Sequence, residues 1–206
     1  MVYAFMIQTL DSKECGVIYY RAFTCYSNIE SDNTYYLNNS NGESGICGHF
    51  RPHKLFETST EMKELLQHVA NKVQMQYSMK MKHSLAPVEL TDSKEAFAKG
   101  IFMERKWKKE SGLEIPIVWQ CAPGLGFVLL CNRRENIVQA HNVLSIIIQQ
   151  LEKHLQFVSN PAMALALVET VALIVNQFLP SGQLLFMNSR LVRQFEKQLE
   201  HDLFSK

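Results

Sequence analysis

The first ten residues, MVYAFMIQTL, constrain the fold more than any other stretch, because they are apolar on both faces of an extended strand. Successive side chains of a strand point to opposite sides of the sheet. The two predicted faces are Tyr3, Phe5 and Ile7 on one side, and Val2, Ala4 and Met6 on the other. A sheet with one wet face would alternate apolar and polar residues, so this segment predicts an interior strand that is covered on both sides.

The size and charge of the chain favour one soluble or peripheral domain. The 206 residues can bury one substantial core, and we expect a single domain over residues 1–206. A formal charge of +1 gives no general electrostatic reason to bind nucleic acid. The longest apolar run, AMALALVETVALIV, contains Glu169 and Thr170 and is shorter than the roughly 20 residues that cross a bilayer. The N-terminal segment has neither the basic region nor the cleavage site of a secretory signal.

The five cysteines are typical of a reduced, cytosolic protein. Their number is odd, and three of them lie in apolar, strand-like segments, which does not suit a disulfide framework. Cys121 and Cys131 stand among large apolar residues, so we expect them to be core thiols. A cysteine nucleophile would need a positioned base and an orienting third group, and nothing in the sequence places these groups.

The order of strand-like and helical segments predicts an antiparallel α+β fold. Two strands are followed by a helix, three more strands and then helices, and this order does not alternate as it would in a doubly wound sheet. The second strand is expected at residues 16–26, and a long, polar, flexible surface loop at residues 28–57. Pro123 and Gly124 suit a type II turn between the last two strands.

Three segments have the 3.6-residue period of amphipathic helices. The first of them begins with a capping box formed by Thr58 and Glu61. The expected core positions are Met62, Leu65, Leu66, Val69, Val73 and Tyr77 in the first segment, Val143, Leu144, Ile147, Ile148, Leu151 and Leu155 in the second, and Leu191, Val192, Phe195 and Leu199 in the terminal helix.

A further helix, expected at residues 162–179, has more apolar surface than a sheet alone can cover. Its apolar side chains fill an arc of roughly 160°, whereas a helix lying on a sheet needs about 100°. The surplus is covered either by the terminal helix of the chain or by another protein, and both alternatives stay open at this point. The residues assigned to a partner interface are Leu167, Val171, Ile174 and Phe178.

A zinc site is a rival interpretation of one polar stretch. In CGHFRPH, Cys47, His49 and His53 could supply three ligands, with His68 as the fourth. The spacing matches no paired Cys/His pattern, and the alternative is an exposed polar loop.

The cluster RKWKK at residues 105–109 could contact phospholipid head groups or RNA. The alternative is a solvated loop between strands, with Trp107 packed back on the sheet. No pair of carboxylates suited to acid–base catalysis stands out along the chain, so an enzyme is the weaker hypothesis. Within that class, the rival is a thiol- or zinc-dependent enzyme.

The order of elements resembles the longin-type fold of the small (sigma) subunits of clathrin-adaptor-like complexes. Three stretches resemble the sigma subunits of adaptor protein complex 5: MVYAFMIQTL at the start, GLGFVLLCNRRENIVQAHNVLSIIIQQLEKHL in the middle and FLPSGQLLFMN near the end. The resemblance implies a five-stranded antiparallel sheet, with the first strand inside it, helices on both faces and extra helices at the C-terminus. It covers nearly all of the chain except residues 28–57 and 82–95.

The resemblance also implies a function without catalysis or a cofactor. A sigma subunit of this family completes a heterotetramer with a large zeta-type subunit, a beta subunit and a mu subunit. The family implies vesicle-mediated protein transport at late endosomes and lysosomes, with spatacsin and spastizin as associated proteins. The dileucine-signal site of better-known sigma subunits has no residue-by-residue match here. The alternative function is a stand-alone longin-domain regulator or a tethering-complex subunit.

Overall fold

The computed structural model describes residues 1–10, 15–23, 59–83, 98–105, 114–122, 124–156 and 167–204. The strands in these ranges are β1 (Val2–Thr9), β2 (Val17–Ala22), β3 (Ala98–Glu104), β4 (Ile115–Ala122) and β5 (Leu125–Cys131). The helices are α1 (Ser59–His83), α2 (Ile137–Leu155), α3 (Val168–Phe178) and α4 (Ser189–Phe204), with one 3-10 turn at Pro180–Gly182.

The five strands form one antiparallel sheet in the order β2-β1-β5-β4-β3. Strands that follow each other in the chain pair as neighbours, except β2 and β3, which form the two opposite edges of the sheet, and β5 lies between β4 and β1. The order of elements predicted an antiparallel α+β fold, and the sheet confirms it. The architecture is longin-like, with helices packed on both faces of the sheet.

The prediction that β1 is an interior strand is confirmed. It pairs with β2 on one edge and with β5 on the other, and every residue from Val2 to Met6 is buried. The predicted alternation of its side chains was wrong at one point, however. Tyr3 packs on the same face as Ala4 and Met6, whereas Val2 packs with Phe5. A register shift between Val2 and Ala4 in the pairing with β5 inserts one extra residue and exchanges the two faces.

The two faces of the sheet support two separate apolar clusters. On one face, the side chains of β1, β4 and β5 pack against α1. On the other face, they pack against α2, and α3 and α4 close the cluster from outside. Burial of apolar surface on both sides stabilises the central strands by roughly 25 cal/mol for each Å² removed from water.

The predicted core positions of the helices are confirmed, with small differences in degree. All six apolar positions predicted in α2 are buried, as are five of the six in α1, where Tyr77 is half-buried. In α4, Leu199 is buried, and Val192 and Phe195 pack against the core from its edge. The fourth predicted position, Leu191, is only partly buried and does not belong to the core cluster.

Several predicted features lie outside the described residues. These are the long loop at residues 28–57, the cap residue Thr58, Pro123 of the turn, and the start of the helix expected at residues 162–179. Gly124, the other turn residue, has a φ of 83°, the positive value that the third position of a type II turn requires.

The contact between β3 and β4 depends on a glycine that faces a tryptophan. Gly100 pairs with Trp119, and a Cβ atom at position 100 would lie 2.6 Å from the indole ring. The indole is held from the helical side, because its Nε1 donates a hydrogen bond to Gln76 Oε1 (2.9 Å) and Lys80 Nζ lies 4.9 Å from the ring centre. Movement of the buried Trp119 side chain away from Gly100 would therefore disturb its contacts with α1.

Replacing Gly100 with alanine is expected to lower the free energy of unfolding by about 1 to 3 kcal/mol, because the new methyl group overlaps the fixed indole. Urea denaturation of the purified chain measures this change. Gly16→Ala is the matched control, since the nearest atom to its added Cβ is Thr9 Oγ1 at 3.6 Å, an ordinary contact. Equal stability of the Gly100→Ala variant and the wild type would show that Trp119 moves freely.

Candidate partner interface

Helix α3 holds the four residues that the sequence assigns to a partner interface, and the structure places them in two different environments. Val171, Ile174 and Phe178 are completely buried, whereas Leu167, which precedes the first turn, is 38% exposed. The sequence supports a helix here because it contains no proline or glycine between Leu167 and Leu179, and Pro180 ends it.

The terminal helix α4 covers most of the surplus apolar surface of α3. The rings of Phe178 and Phe195 meet edge to face, with their centroids 5.6 Å apart. At the rim of this contact, Gln177 Nε2 donates a hydrogen bond to Gln198 Oε1 at 3.1 Å. The surplus apolar surface was expected to be covered either by the terminal helix or by another protein. Coverage by the chain itself accounts for the buried residues of α3, and the large apolar side chains that remain exposed at this helix are those of Leu167 and Val168. The assignment of the four residues to a partner interface stays a prediction.

Two hydrogen bonds join α2 to α4, and a third joins α2 to the segment before α4. Gln139 Nε2 donates to the carbonyl oxygen of Leu184, at the start of the segment that leads into α4. Further along, Gln150 Nε2 donates to Glu196 Oε1 and Lys153 Nζ to Glu200 Oε1. The last hydrogen bond raises the pKa of Lys153 and lowers that of Glu200. Along these hydrogen bonds, the residue numbers of α2 and of α4 increase in the same direction. The two helices are therefore parallel and begin at the same end of the molecule.

The turn after α3 anchors the segment that leads into α4. Ser181 and Gly182 both have positive φ angles, and a Cβ at position 182 would lie 2.6 Å from the carbonyl oxygen of Val2. The close approach fits the turn against the first strand, and only glycine tolerates it. Asn188 Oδ1 then caps α4 by accepting a hydrogen bond from the backbone N–H of Leu191 (2.8 Å).

Between these two anchors, the side chain of Phe186 points into solvent. It is 80% exposed, although Leu184 and Met187 on either side pack against the core. Sequence reasoning missed this residue because QLLFMN is apolar as a whole and looks like core. Cations recur at Arg190, Arg193 and Lys197, on the side of α4 away from its core positions, and this spacing was the signal that could have drawn attention to the surface.

Of the four residues considered as zinc ligands, only His68 lies within the described ranges. Cys47, His49 and His53 lie outside them. His68 Nε2 lies 3.3 Å from Glu104 Oε2, and the same carboxylate, which is 1% exposed, also pairs with Lys72. A buried carboxylate needs such partners, so His68 has a structural role in joining α1 to β3. Within the described ranges, no group of three or more His, Cys, Asp or Glu is placed to hold a metal ion.

The prediction that Cys121 and Cys131 are core thiols is confirmed. Both are completely buried, and burial raises the pKa of each thiol to about 12. Burial also raises the pKa of the half-exposed Cys15. The thiolate is the reactive form of cysteine, so the chemistry of these sites favours packing over nucleophilic attack.

The cluster RKWKK lies mostly outside the described residues, and only Arg105 can be placed. Its Nε lies 3.1 Å from Glu114 Oε1, across the ends of β3 and β4. No helix within the described ranges has both the length and the apolar character that crossing a membrane requires.

Cys121 and Cys131 are expected to resist alkylation in the native protein. At a pH of about 7.5, the raised pKa and complete burial leave almost no accessible thiolate for iodoacetamide to attack. Peptide mapping by mass spectrometry after brief labelling should find both residues unmodified, and labelling in concentrated urea should modify both. Rapid native labelling of either residue would contradict the packing role and revive the thiol-enzyme hypothesis.

Comparison with known proteins agrees with the geometry. A family model described as AP-5 complex subunit sigma-1 matches residues 1–200. A curated human protein, AP-5 complex subunit sigma-1, is 33% identical over 82 residues, a segment that covers 40% of this chain and 41% of that protein. The aligned segment is thus less than half the length of the relative, whereas the family model extends over almost the whole chain. The chain belongs to the AP-5 complex subunit sigma-1 family.

Proposed function

We propose that this chain is a non-catalytic small subunit of a heterotetrameric adaptor complex of type 5. The observation that carries the proposal is the match of the sigma-1 family model to residues 1–200. In this role the chain stabilises the core of the complex by binding a large zeta-type subunit, while the beta and mu subunits complete the tetramer.

The described groups support a scaffolding role. The buried Glu104 carboxylate pairs with Lys72, and the buried thiols of Cys121 and Cys131 have raised pKa values. These groups hold elements together or fill the core. Catalytic groups would instead have pKa values near the working pH and would be open to a substrate.

The proposed location is the cytoplasmic side of late endosomes and lysosomes, where the complex takes part in vesicle-mediated protein transport. Peripheral attachment through the complex agrees with the finding on the described helices, none of which meets the criteria for a membrane span. Spatacsin and spastizin are the proposed associated proteins. A stand-alone longin-domain regulator is the rival, and family membership favours the adaptor subunit.

Purification through a C-terminal tag is expected to recover the zeta-type, beta and mu subunits in near-equal amounts. The tag belongs at the C-terminus because β1, at the N-terminus, is buried between β2 and β5. Mass spectrometry with isotope-labelled standards measures the ratios. A soluble, monomeric chain recovered without these three subunits would contradict the proposal and favour the stand-alone regulator.

Substitutions in α3 separate a partner surface from the core. Leu167→Asp places a charge at an accessible position, so the chain should keep its stability. If the interface includes this end of α3, the same variant should lose partner binding.

Phe178→Asp buries an unpaired charge against Phe195, and we expect it to lower the free energy of unfolding by at least about 3 kcal/mol. Thermal unfolding and co-purification measure the two effects.

The matched control is Met79→Asp, because Met79 is 53% exposed and lies on α1, on the opposite face of the sheet. It should leave both stability and co-purification unchanged. Normal co-purification of a stable Leu167→Asp variant would remove this end of α3 from the proposed interface. Loss of the complex in the Met79→Asp variant would move the interface to α1.

A further inference from the structure

We propose that a surface formed by Phe186, Arg190, Arg193 and Lys197, here called the Phe186 patch, binds anionic phospholipid membranes directly. The proposal concerns a contact made by this chain itself and does not depend on its place in an adaptor complex. It rests on an anchored, exposed aromatic side chain that precedes a row of cations on α4, and the described part of the chain provides no ion-pair partner for these cations.

The backbone around Phe186 is held on both sides, so the exposure of this residue is not a consequence of a loose segment. Gln139 Nε2 donates to the carbonyl oxygen of Leu184, and Asn188 caps α4 two residues after Phe186. Leu184 and Met187 pack against the core. Within the described residues, Phe186 is the most exposed large hydrophobic side chain, at 80%, followed by Val138 at 70% on the neighbouring first turn of α2.

The cations are aligned along the outer side of α4. Arg190, Arg193 and Lys197 follow each other at intervals of three and four residues, which puts them on one side of a helix. Val192, Phe195 and Leu199 occupy the opposite side, against the core. Together with Ser189 and Gln194, the three cations line an open groove of about 410 Å³. Phe186 precedes Arg190 by four residues, so their Cα atoms are at most about 14 Å apart.

The carboxylates on the same helix form no ion pairs with this row of cations, and Asp202 lies 3.6 Å from its neighbour His201. Glu196 accepts a hydrogen bond from Gln150, and Glu200 pairs with Lys153, so both point towards α2. No carboxylate in the described part of the chain forms an ion pair with Arg190, Arg193 or Lys197. The outer side of α4 therefore attracts an anionic partner.

The combination of an apolar side chain and cations fits a lipid surface. An aromatic ring that protrudes beyond its backbone can enter the boundary between head groups and acyl chains, while arginine and lysine contact the phosphate groups. The cations extend along about 10 Å of helix, which suits several head groups side by side better than one small anion. An acidic polypeptide also carries negative charge, and the experiment below separates it from lipid.

Co-sedimentation of the full chain with vesicles tests the proposal. The probe is phosphatidylcholine with about 30% phosphatidylserine, compared with phosphatidylcholine alone. We expect binding to the anionic vesicles only, and weaker binding as the salt concentration rises. Each cation near such a membrane increases partitioning by about fivefold, so Arg190→Gln with Arg193→Gln should weaken binding by at least about tenfold. Phe186→Ser should weaken it as well, without a change in salt dependence.

The matched control variants remove the same number of charges, or a similarly exposed apolar side chain, from other parts of the surface. Lys63→Gln with Lys99→Gln removes two exposed cations elsewhere, and Met79→Ser removes an exposed apolar side chain from α1. Both controls should bind the vesicles as the wild type does. All substituted residues are exposed, and thermal unfolding verifies that each variant is folded.

Two kinds of outcome overturn the proposal. Absence of binding to the anionic vesicles, or equal loss in the patch variants and the controls, would show that the Phe186 patch has no specific role at lipid. Polyglutamate serves as the second probe. Binding of polyglutamate that depends on Arg190 and Arg193, without any binding to vesicles, would assign the patch to an acidic protein partner.

Discussion

The two-sided burial of β1 is the constraint on which the rest of the structure depends. A strand that is apolar on both faces is stable only when both faces and both edges are covered. Pairing with β2 and β5 satisfies the edges, α1 covers one face, and α2 covers the other. Even the turn at Gly182 approaches the carbonyl oxygen of Val2 so closely that no side chain fits there. A change in β1 would therefore disturb both apolar clusters together.

The helical layer built on this sheet leaves a clear division between core and available surface. Because α4 runs along α2 and covers α3, the apolar residues in the middle of α3 already have partners within the chain. Among the described residues, this layer leaves exposed Leu167 at the start of α3, and Phe186 with the cations of α4. A small subunit of this kind can be completely folded and still present specific surfaces.

Periodicity predicted the elements well, because the pattern of apolar residues directly reflects which side is buried. The six core positions of α2 and the interior place of β1 illustrate this. The exchange of Val2 and Tyr3 was not predictable, because a bulge depends on the pairing partner and leaves no mark in an entirely apolar strand. Nor could composition decide whether α4 or a partner covers Phe178. The exposure of Phe186 was equally hidden, since it depends on backbone anchors at Leu184 and Asn188.

Hydrogen exchange of the free chain tests most directly the central claim that the core is complete without a partner. If α4 covers α3 in the chain itself, amide protons of residues 171–178 and 192–203 should exchange at least about a thousandfold more slowly than in an unfolded peptide. The amides at the centre of β1 should be protected at least as strongly, because both edges of this strand are paired. Unprotected amides throughout α4 would contradict the account, since α3 would then keep its apolar face open until another protein covered it.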